Sequence, residues 1–328
     1  MNFDSSLLFN IKSLSDFEIL ALETFRFQAA NNKVYNKYIS LLKKPAESVN
    51  SLSDIPFLPI GFFKTNEIKT GNGVADVVFS SSGTTGEIKS KHYVQNKRLY
   101  TDVLLRGFEL NFGKIEDYCI LALLPSYLER NDSSIVYMAN EWIKRSGCSD
   151  SGFFLNNYND LSEILKKYNN KSKKIILLGV SFALLDLAEQ FPSPLSENII
   201  IMETGGMKGK RKEITRTELH QILCEKFGKI RIHSEYGMTE LLSQAYSNGN
   251  GIFSSPPWMK ILIRDPYDPF ATVENGKSGG INIIDLANRY SCSFIETQDL
   301  GKINNDGTFE VLGRMEDSPV RGCNLMVG

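Results

Sequence analysis

The strongest constraint in this sequence is an alternation of short, largely apolar runs with helical patterns between residues 76 and 233. A run with few polar positions is typical of a parallel strand that is buried between two layers of helices. The predicted strands are residues 76–81, 119–124, 174–180, 198–203 and 229–233. The predicted helices are residues 96–110, 133–145, 161–168, 182–190 and 213–227. We therefore predict an α/β fold with parallel sheets covered by helices.

The two ends of the chain have different patterns. Residues 15–18, Ser-Asp-Phe-Glu, fit a capping box, and apolar residues then recur at helical spacing as far as Leu42. Beyond Gly251 the pattern changes to short apolar segments separated by Gly and Asn turns, which predicts a β-rich portion. Its predicted strands are residues 259–264, 280–285, 298–303 and 308–312.

The 328 residues carry 37 Lys and Arg against 38 Asp and Glu. This near-neutral balance excludes a nucleic-acid binder that relies on bulk positive charge. No apolar run reaches the roughly 18 residues that a membrane span needs, and the acidic N-terminus does not fit a secretory signal. The five cysteines are odd in number and contain no CxxC pair, so neither a zinc site nor a disulfide framework is indicated. We expect a cytoplasmic protein with no nucleic-acid partner and no membrane span.

A glycine-rich loop follows the first predicted strand of the sheet. It reads SSSGTTGEIK and comprises Ser80, Ser81, Ser82, Gly83, Thr84, Thr85, Gly86, Glu87, Ile88 and Lys89. Glycines allow several backbone N–H groups to converge on an anion, hydroxyls add donors, and a terminal lysine supplies a mobile positive charge. The loop does not match the P-loop pattern. A phosphate-binding loop and a plain polar turn are both open on this segment alone.

Three further segments carry side chains suited to nucleotide chemistry, namely SEYGMTE at 234–240, TQDLG at 297–301 and GRMED at 313–317. In this order, and together with the loop, they resemble the adenylate-forming superfamily of acyl- and aryl-CoA synthetases, luciferases and adenylation domains of peptide synthetases. Within it, the chain is most similar to LuxE-type acyl-protein synthetases, the acid-activating subunit of the fatty-acid reductase of luminous bacteria. The segments that carry this closer likeness are IPFLPIGFFK (55–64), METGGMKGKR (202–211), YGMTEL (236–241), PPWMKILIRDP (256–266) and GRMEDSPVRGCNLM (313–326).

The resemblance implies that the chain binds ATP and Mg²⁺ and activates a carboxylic acid, of the fatty-acid class, as an acyl adenylate. The tyrosine would stack on adenine, the glycines would lie against its other face, the aspartate would bind the ribose, and the glutamate would hold Mg²⁺. The implied nucleotide-binding residues are Ser81, Ser82, Gly83, Thr84, Thr85, Gly86, Lys89, Gly205, Gly206, Tyr236, Gly237, Thr239, Asp299 and Arg314. Lys89 and Glu240 would also be catalytic, with Glu240 as the metal ligand.

The resemblance also implies how the chain is divided and where the acyl group goes. Residues 1–250 would be the α/β core that binds ATP and the acid, 251–312 a β-rich subdomain of the same large domain, and 313–328 a hinge-like tail. Other members of the superfamily continue past the hinge into a second domain with a catalytic lysine, whereas this sequence ends fifteen residues after Gly313. LuxE-type proteins share that truncation, and Cys323 matches the cysteine that would accept the acyl group. The implied partners are an acyl carrier protein or an acyl reductase.

Two other functions compete with this interpretation. The segment GVSFA at 179–183 imitates the nucleophile elbow of an α/β-hydrolase, in which Ser181 would serve a thioesterase or acyltransferase and His220 or His233 would be its base. Alternatively, Ser181 is a plain helix N-cap. A nucleotide-binding module without catalysis is the second alternative.

Overall fold

The computed structural model describes residues 4–82, 88–125, 132–207 and 210–315. The α-helices in these segments are α1 Ser6–Phe9, α2 Leu14–Asn31, α3 Lys33–Leu41, α4 Phe62–Thr65, α5 Lys97–Phe112, α6 Ser134–Ser146, α7 Tyr158–Tyr168, α8 Ser181–Gln190 and α9 Arg216–Phe227. The strands are β1 Leu58–Pro59, β2 Val77–Ser80, β3 Lys91–Val94, β4 Tyr118–Leu123, β5 Gly152–Phe154, β6 Lys174–Val180, β7 Ile199–Thr204, β8 His233–Tyr236, β9 Ala245–Ser247, β10 Ile252–Ser254, β11 Met259–Arg264, β12 Ser278–Asp285, β13 Phe294–Ile303 and β14 Phe309–Arg314.

Most of the described strands belong to one large mixed sheet with the order β11-β12-β13-β14-β10-β9-β8-β7-β6-β4-β5, and β1 pairs with β13. Strands β5, β4, β6, β7 and β8 are parallel, and the order reaches the antiparallel strands through the β8–β9 pair. Helices α6 and α8 pack on β4 and β6. The predicted α/β class, with parallel strands, covering helices and a β-rich C-terminal part, is confirmed. The domain boundaries at residues 250 and 312 remain predictions.

The predicted strand 76–81 was assigned to the wrong sheet. The observed strand β2 pairs antiparallel with β3 in a separate two-stranded sheet. The partner strand β3 was not predicted, because its sequence KHYV begins with two polar residues, of which His92 is buried. The loop that joins β2 to β3 is the glycine-rich segment, so this hairpin sets the position of the loop relative to the main sheet.

The predicted strand 229–233 lies too early in the chain. The strand β8 spans His233–Tyr236, and Ser234, Glu235 and Tyr236 are buried in it. A hydrophobic pattern does not identify this strand, because its side chains are polar. Their burial depends on hydrogen-bond partners from distant elements. The YGMTE segment therefore begins inside the sheet and not after it.

The N-terminal helical region is two helices, and its cap differs from the predicted one. The capping box consists of Ser13 and Asp16, and the helix breaks at Asn32, whose side chain caps α3 by accepting hydrogen bonds from the backbone N–H groups of Val34 and Tyr35. The Asn32 amide also donates to the carbonyl of Ser291 at 2.9 Å. A single residue thus ends one helix, starts the next and joins both to the loop after β12.

The α2 helix is anchored to the sheet by Gln28, which is fully buried. Its Nε2 donates to the carbonyls of Asn288 and Arg289 at 3.1 and 2.8 Å, and its Oε1 accepts from the backbone N–H of Ser293 at 2.9 Å. Beside it, Phe25, Tyr35 and Phe294 form edge and stacked ring contacts. No described helix is long and apolar enough to cross a membrane.

A row of polar side chains crosses the middle of the sheet. Thr204 on β7 is paired with Glu235 on β8, which is paired with Tyr246 on β9, so the three side chains lie on the same face. The Thr204 hydroxyl donates to Glu235 Oε2 at 2.5 Å. Burial, opposed by this hydrogen bond and reinforced by the charge of Glu203, raises the pKa of Glu235 to about 7.

The first stability prediction concerns Gln28. The substitution Gln28→Leu keeps the side-chain size but removes the hydrogen bonds to the carbonyls of Asn288 and Arg289 and takes the acceptor away from the buried N–H group of Ser293. We expect the free energy of unfolding to fall by about 2–4 kcal/mol, measured by urea denaturation. The exposed Gln221 on α9 provides the control, because Gln221→Leu should change stability little. Equal effects of the two substitutions would contradict the anchoring role of Gln28.

The second prediction concerns pH and Glu235. Because its pKa is raised from 4.5 to about 7 in the folded state, the folded protein holds a proton that the unfolded chain releases. Stability should therefore decrease as the pH rises from about 4.5 to about 7, by about 3 kcal/mol in total at about 1.4 kcal/mol per pH unit. In Glu235→Gln this contribution is absent. We expect urea denaturation to show that the variant gains stability relative to the wild type between about pH 5 and about pH 8. A constant difference across this range would refute the assignment.

Candidate active site

The candidate site lies where the parallel strands β6, β7 and β8 end. Their last residues are followed by Ser181, Gly205 and Gly237, so the three chain segments emerge at one edge of the sheet. Ligands in open α/β sheets bind outside the carboxyl ends of the strands. The predicted glycines and the YGMTE segment lie at this edge.

Tyr236, Asp299 and Arg314 come together although they are far apart in the sequence. The Tyr236 hydroxyl donates to Asp299 Oδ2 at 2.8 Å, and Arg314 Nε lies 3.6 Å from Asp299 Oδ1. Asp299 and Arg314 are cross-strand neighbours on β13 and β14. The Tyr236 ring is buried against the edges of Phe253 and Phe309. The tyrosine hydroxyl is thus already bonded, and the carboxylate keeps Oδ1 directed at a guanidinium group that is 83% exposed.

The electrostatic state of Asp299 reflects two opposing effects. Burial raises its pKa, and the hydrogen bond from Tyr236 together with the charges of Arg314 and Arg216 opposes the rise. A partly buried carboxyl group held by a tyrosine and an arginine is a strong acceptor for hydroxyl groups of a ligand.

Glu240 lies beside the base of the glycine-rich loop. Ser81 donates from its backbone N–H to the carbonyl of Ser90 at 3.0 Å, and its hydroxyl accepts from the N–H of Ser90 at 3.0 Å. Burial raises the pKa of Glu240, and a hydrogen bond with the Ser90 side chain opposes the rise. Ser90 thus links the loop to the acid of the YGMTE segment. Of the predicted loop residues, Ser81 is half-buried, and Ser82 and Lys89 are exposed.

Five of the predicted site residues lie outside the described part of the chain. They are Gly83, Thr84, Thr85, Gly86 and Cys323.

His92 and Asn288 hold the backbone of the YGMTE segment. His92 Nδ1 lies 2.8 Å from the carbonyl oxygen of Thr239, and Nε2 lies 2.9 Å from Asn288 Oδ1. Asn288 in turn donates from Nδ2 to the carbonyl of Glu240 at 2.7 Å. Burial lowers the pKa of His92 to about 4, so the ring is neutral near pH 7. Neither residue is among the predicted site residues, because both act through backbone groups of a distant segment.

A second network, also not predicted, lies on the Tyr236 side of the sheet. Arg216 on α9 donates from Nε to Glu203 Oε1 at 3.1 Å and from Nη1 to the carbonyl of Val311 at 2.8 Å. Burial acts to raise the pKa of Glu203, but the His220 hydrogen bond and the Arg216 charge outweigh it, so the pKa lies below its usual value. The arginine thereby ties β14, which carries Arg314, to the end of β7.

The glycines at this edge differ in what surrounds them. Gly205 has a φ of 69°, a left-handed conformation that favours glycine. A Cβ atom on Gly206 would meet no described atom within 4 Å, which leaves open space beside it. A Cβ atom on Gly237 would meet Glu235 Oε1 and displace the end of that side chain. Gly206 instead borders space that a ligand can occupy.

The hydrolase alternative is not favoured. The Ser181 hydroxyl donates to the carbonyl of Gly205 at 3.2 Å and is almost fully buried at the start of α8. His220 instead contacts Ser234 and Glu203, and His233 packs against Phe112. In the described residues, neither histidine is hydrogen-bonded to Ser181, so no base is in place to activate it.

Comparisons with known proteins concern the fold and the family of this chain. Among solved structures, ATP-bound MatB from Rhodopseudomonas palustris shares 16% identity with a TM-score of 0.55, over 75% of this chain and 50% of that one. An open conformation of 2-hydroxyisobutyryl-CoA ligase, in complex with 2-HIB-AMP and CoA, shares 12% identity with a TM-score of 0.68, over 92% of this chain and 70% of that one. The luciferase-like enzyme of the nonluminescent mealworm Zophobas morio shares 18% identity with a TM-score of 0.53, over 80% and 63%.

At these identities the likeness establishes the fold, which is that of the adenylate-forming enzymes. The chain spans about half of the length of MatB. A comparison with curated proteins gave no match. The family model of the acyl-protein synthetase LuxE matches residues 12–328. The chain belongs to the LuxE acyl-protein synthetase family.

Proposed function

We propose that this chain uses ATP to activate a carboxylic acid as an acyl adenylate and then passes the acyl group to a protein thiol. The observation that carries the proposal is the convergence of Tyr236, Asp299 and Arg314 at the sheet edge where Glu240 meets the base of the glycine-rich loop. Family membership over residues 12–328 supports it. The alternative of a hydrolase that uses Ser181 has no such support. A binding module without catalysis does not account for the buried Glu240 beside the glycine-rich loop.

In this proposal, the nucleotide lies across the carboxyl ends of β7 and β8. Adenine contacts Tyr236, Gly205, Gly206 and Gly237, where the space beside Gly206 is open. Asp299 accepts from the ribose hydroxyls, and Arg314 lies at the ribose or the phosphates. The phosphates contact Thr239, Lys89 and the loop residues Ser81, Ser82, Gly83, Thr84, Thr85 and Gly86.

Glu240 is the proposed ligand for Mg²⁺. No group of three or more His, Cys, Asp or Glu side chains within the described segments is placed to hold a metal ion. A lone carboxylate suits Mg²⁺, which is usually held by one or two carboxylates together with phosphates and water. The ion would spread the negative charge that develops on the phosphates. The protein's own part is to hold the acid in line with the α-phosphorus and to direct Lys89 and the loop donors at the departing pyrophosphate.

Acyl transfer is proposed to use a thiol, because a thioester keeps the acyl group reactive. The proposed acceptor is Cys323 or a thiol on a partner, such as an acyl carrier protein or an acyl reductase. Among the other cysteines, Cys119 and Cys292 are buried, and burial raises their pKa to about 12, which suppresses the thiolate. We propose that the reaction occurs in the cytoplasm.

The nucleotide site is tested through Asp299, Glu240 and Lys89. Asp299→Ala should weaken ATP binding by about 1.5–3 kcal/mol, because the ribose hydroxyls lose a charged acceptor. Tyr236→Phe is the matched control. It removes the hydrogen bond from Tyr236 to Asp299 but keeps the Asp299 carboxylate and the aromatic ring at position 236. Glu240→Gln and Lys89→Ala should lower the rate of acid-dependent ATP–pyrophosphate exchange more than they lower ATP affinity. Exchange that is unchanged in both variants would show that the phosphates bind elsewhere.

The two half-reactions are separated by Cys323→Ser. Adenylation needs no nucleophile from the protein, so the variant should retain acid-dependent exchange at about the wild-type rate. A serine hydroxyl is too weakly ionised to replace a thiolate, so covalent labelling with a radioactive acid and ATP should be lost. Cys224→Ser serves as the control, because Cys224 lies on α9 and should leave labelling intact. Full labelling of Cys323→Ser would identify a different acceptor.

A further inference from the structure

The row of Thr204, Glu235 and Tyr246 contains a polar group that no described residue satisfies. The Tyr246 hydroxyl is buried and has no hydrogen-bond partner among the described residues. Glu235 is bonded through Oε2, to Thr204. The ring of Trp142 lies 6.4 Å from that of Tyr246, and its buried Nε1 group also has no partner in the described part of the chain. Unpaired buried polar groups are uncommon in protein interiors, and each can take a hydrogen bond from a bound ligand or a water molecule.

This row lies directly beneath the candidate active site. Thr204 precedes Gly205, and Glu235 lies between Ser234 and Tyr236 on β8. Successive side chains of a strand point to opposite faces, so Glu235 faces away from Tyr236 and Asp299. The Tyr236 face carries Asp299 and Arg314, the residues assigned to the ribose. The Glu235 face adjoins β2 through Tyr100 and Phe79, and we assign this face to the acyl group of the acid.

The rest of that face is aromatic. Tyr100 on α5 is almost fully buried and lies within electrostatic range of both Glu235 and Tyr246. Its ring stacks on Tyr137 with centroids 5.3 Å apart and contacts Phe79 at 5.5 Å. Phe79 lies on β2, the strand that leads into the glycine-rich loop. An aromatic wall with a polar end suits a ligand that is mostly apolar and carries one polar group.

The hydrogen-bonding capacity of the unpaired side chains indicates which polar group the ligand carries. Tyr246 and Trp142 offer hydrogens, whereas the ionised Glu235 carboxylate can accept one at Oε1. An ammonium group has no lone pair to receive the two donors, and a second carboxylate would meet the nearby charge of Glu203. A hydroxyl group both donates and accepts.

We infer that the acid substrate carries a hydroxyl group on its acyl chain or ring, and that this group binds between Glu235 and Tyr246. This inference rests on the proposed function, because it requires the acid to be activated at this edge of the sheet. The hydroxyl accepts from Tyr246 and donates to Glu235 Oε1, while Thr204 holds Oε2 and orients the carboxyl group. Glu235 and Tyr246 are then specificity residues, and an acid that lacks the hydroxyl leaves both unpaired.

The test uses the full chain and ATP–pyrophosphate exchange with matched pairs of acids. Each pair consists of an unsubstituted alkanoic or aromatic acid and its hydroxy counterpart, with amino-substituted acids as a third arm. The hydroxy member of at least one pair should have a kcat/KM about 10- to 100-fold higher than its unsubstituted partner. A higher kcat/KM for the unsubstituted or the amino member of every pair would overturn the inference.

Two variants test whether these side chains produce the preference. Tyr246→Phe should reduce the hydroxy-to-unsubstituted ratio of kcat/KM about tenfold, because one hydrogen bond to the substrate is lost. Glu235→Leu should abolish the ratio and favour the unsubstituted acid. Tyr168→Phe is the matched control. Tyr168 is the last residue of α7 and its hydroxyl donates to Asp150, so its loss should not change the hydroxy-to-unsubstituted ratio of kcat/KM. If Glu235→Leu does not fold, Tyr246→Phe alone decides the point, and stabilisation of the wild type by the hydroxy acid against heat provides a binding readout.

Failure of this inference can be told apart from failure of the proposed function. If unsubstituted acids support exchange and neither variant changes the ratio, the proposed function stands and the unpaired groups bind only water. If no acid of any class supports exchange, the proposed adenylation fails, and the inference about the acid fails with it.

Discussion

The arrangement of this site depends on the pairing of one short strand, β8. It is parallel to β7 on one side and antiparallel to β9 on the other, so it joins the two halves of the sheet. This pairing directs Ser234 and Tyr236 to one face and Glu235 to the other. A shift of one residue in register would exchange these faces and separate Tyr236 from Asp299. The strand is four residues long, and its buried side chains are partly polar, so its register relies on specific hydrogen bonds.

Several acidic groups are buried around this strand, and each is compensated in a different way. Asp285 accepts from the backbone N–H groups of Leu242 and Ser243 at 2.9 and 3.0 Å and from the Ser243 hydroxyl at 2.7 Å. Glu203 has an arginine and a histidine, whereas Glu235 has a single hydroxyl. Because a buried carboxyl group is costly unless it is fully bonded, the least compensated of them is the one most available to a ligand.

Support for the candidate catalytic segment comes from the N-terminal part of the chain and from the loop after β12. His92 and Asn288 hold the carbonyls of Thr239 and Glu240, while Gln28 holds the carbonyl of Asn288. The helix α2 is thus connected to the YGMTE segment through consecutive hydrogen bonds. Such connections hold side chains within the small tolerances that reactions at phosphorus require.

The sequence was informative where structure follows from local patterns. The strand Met259–Arg264 and the strand Lys174–Val180 were predicted with their observed bounds, because apolar periodicity reports burial directly. The start of α9 was predicted too early. The capping box of Thr215 and Glu218 was present in the sequence and would have located it. By contrast, β8 could not be located from its pattern, since HSEY is polar and is buried only in the presence of its partners.

The sequence by itself determined the fold class, the order of the chemical motifs and the family they resemble. These properties depend on residue type and spacing, which the chain carries without folding. Only the tertiary structure decided that Tyr236 bonds Asp299, that His92 supports Thr239, and that Glu235 faces away from Tyr236 and bonds Thr204 through Oε2. Contacts of this kind join residues more than sixty positions apart or depend on strand register, and neither is determined until the sheet has formed.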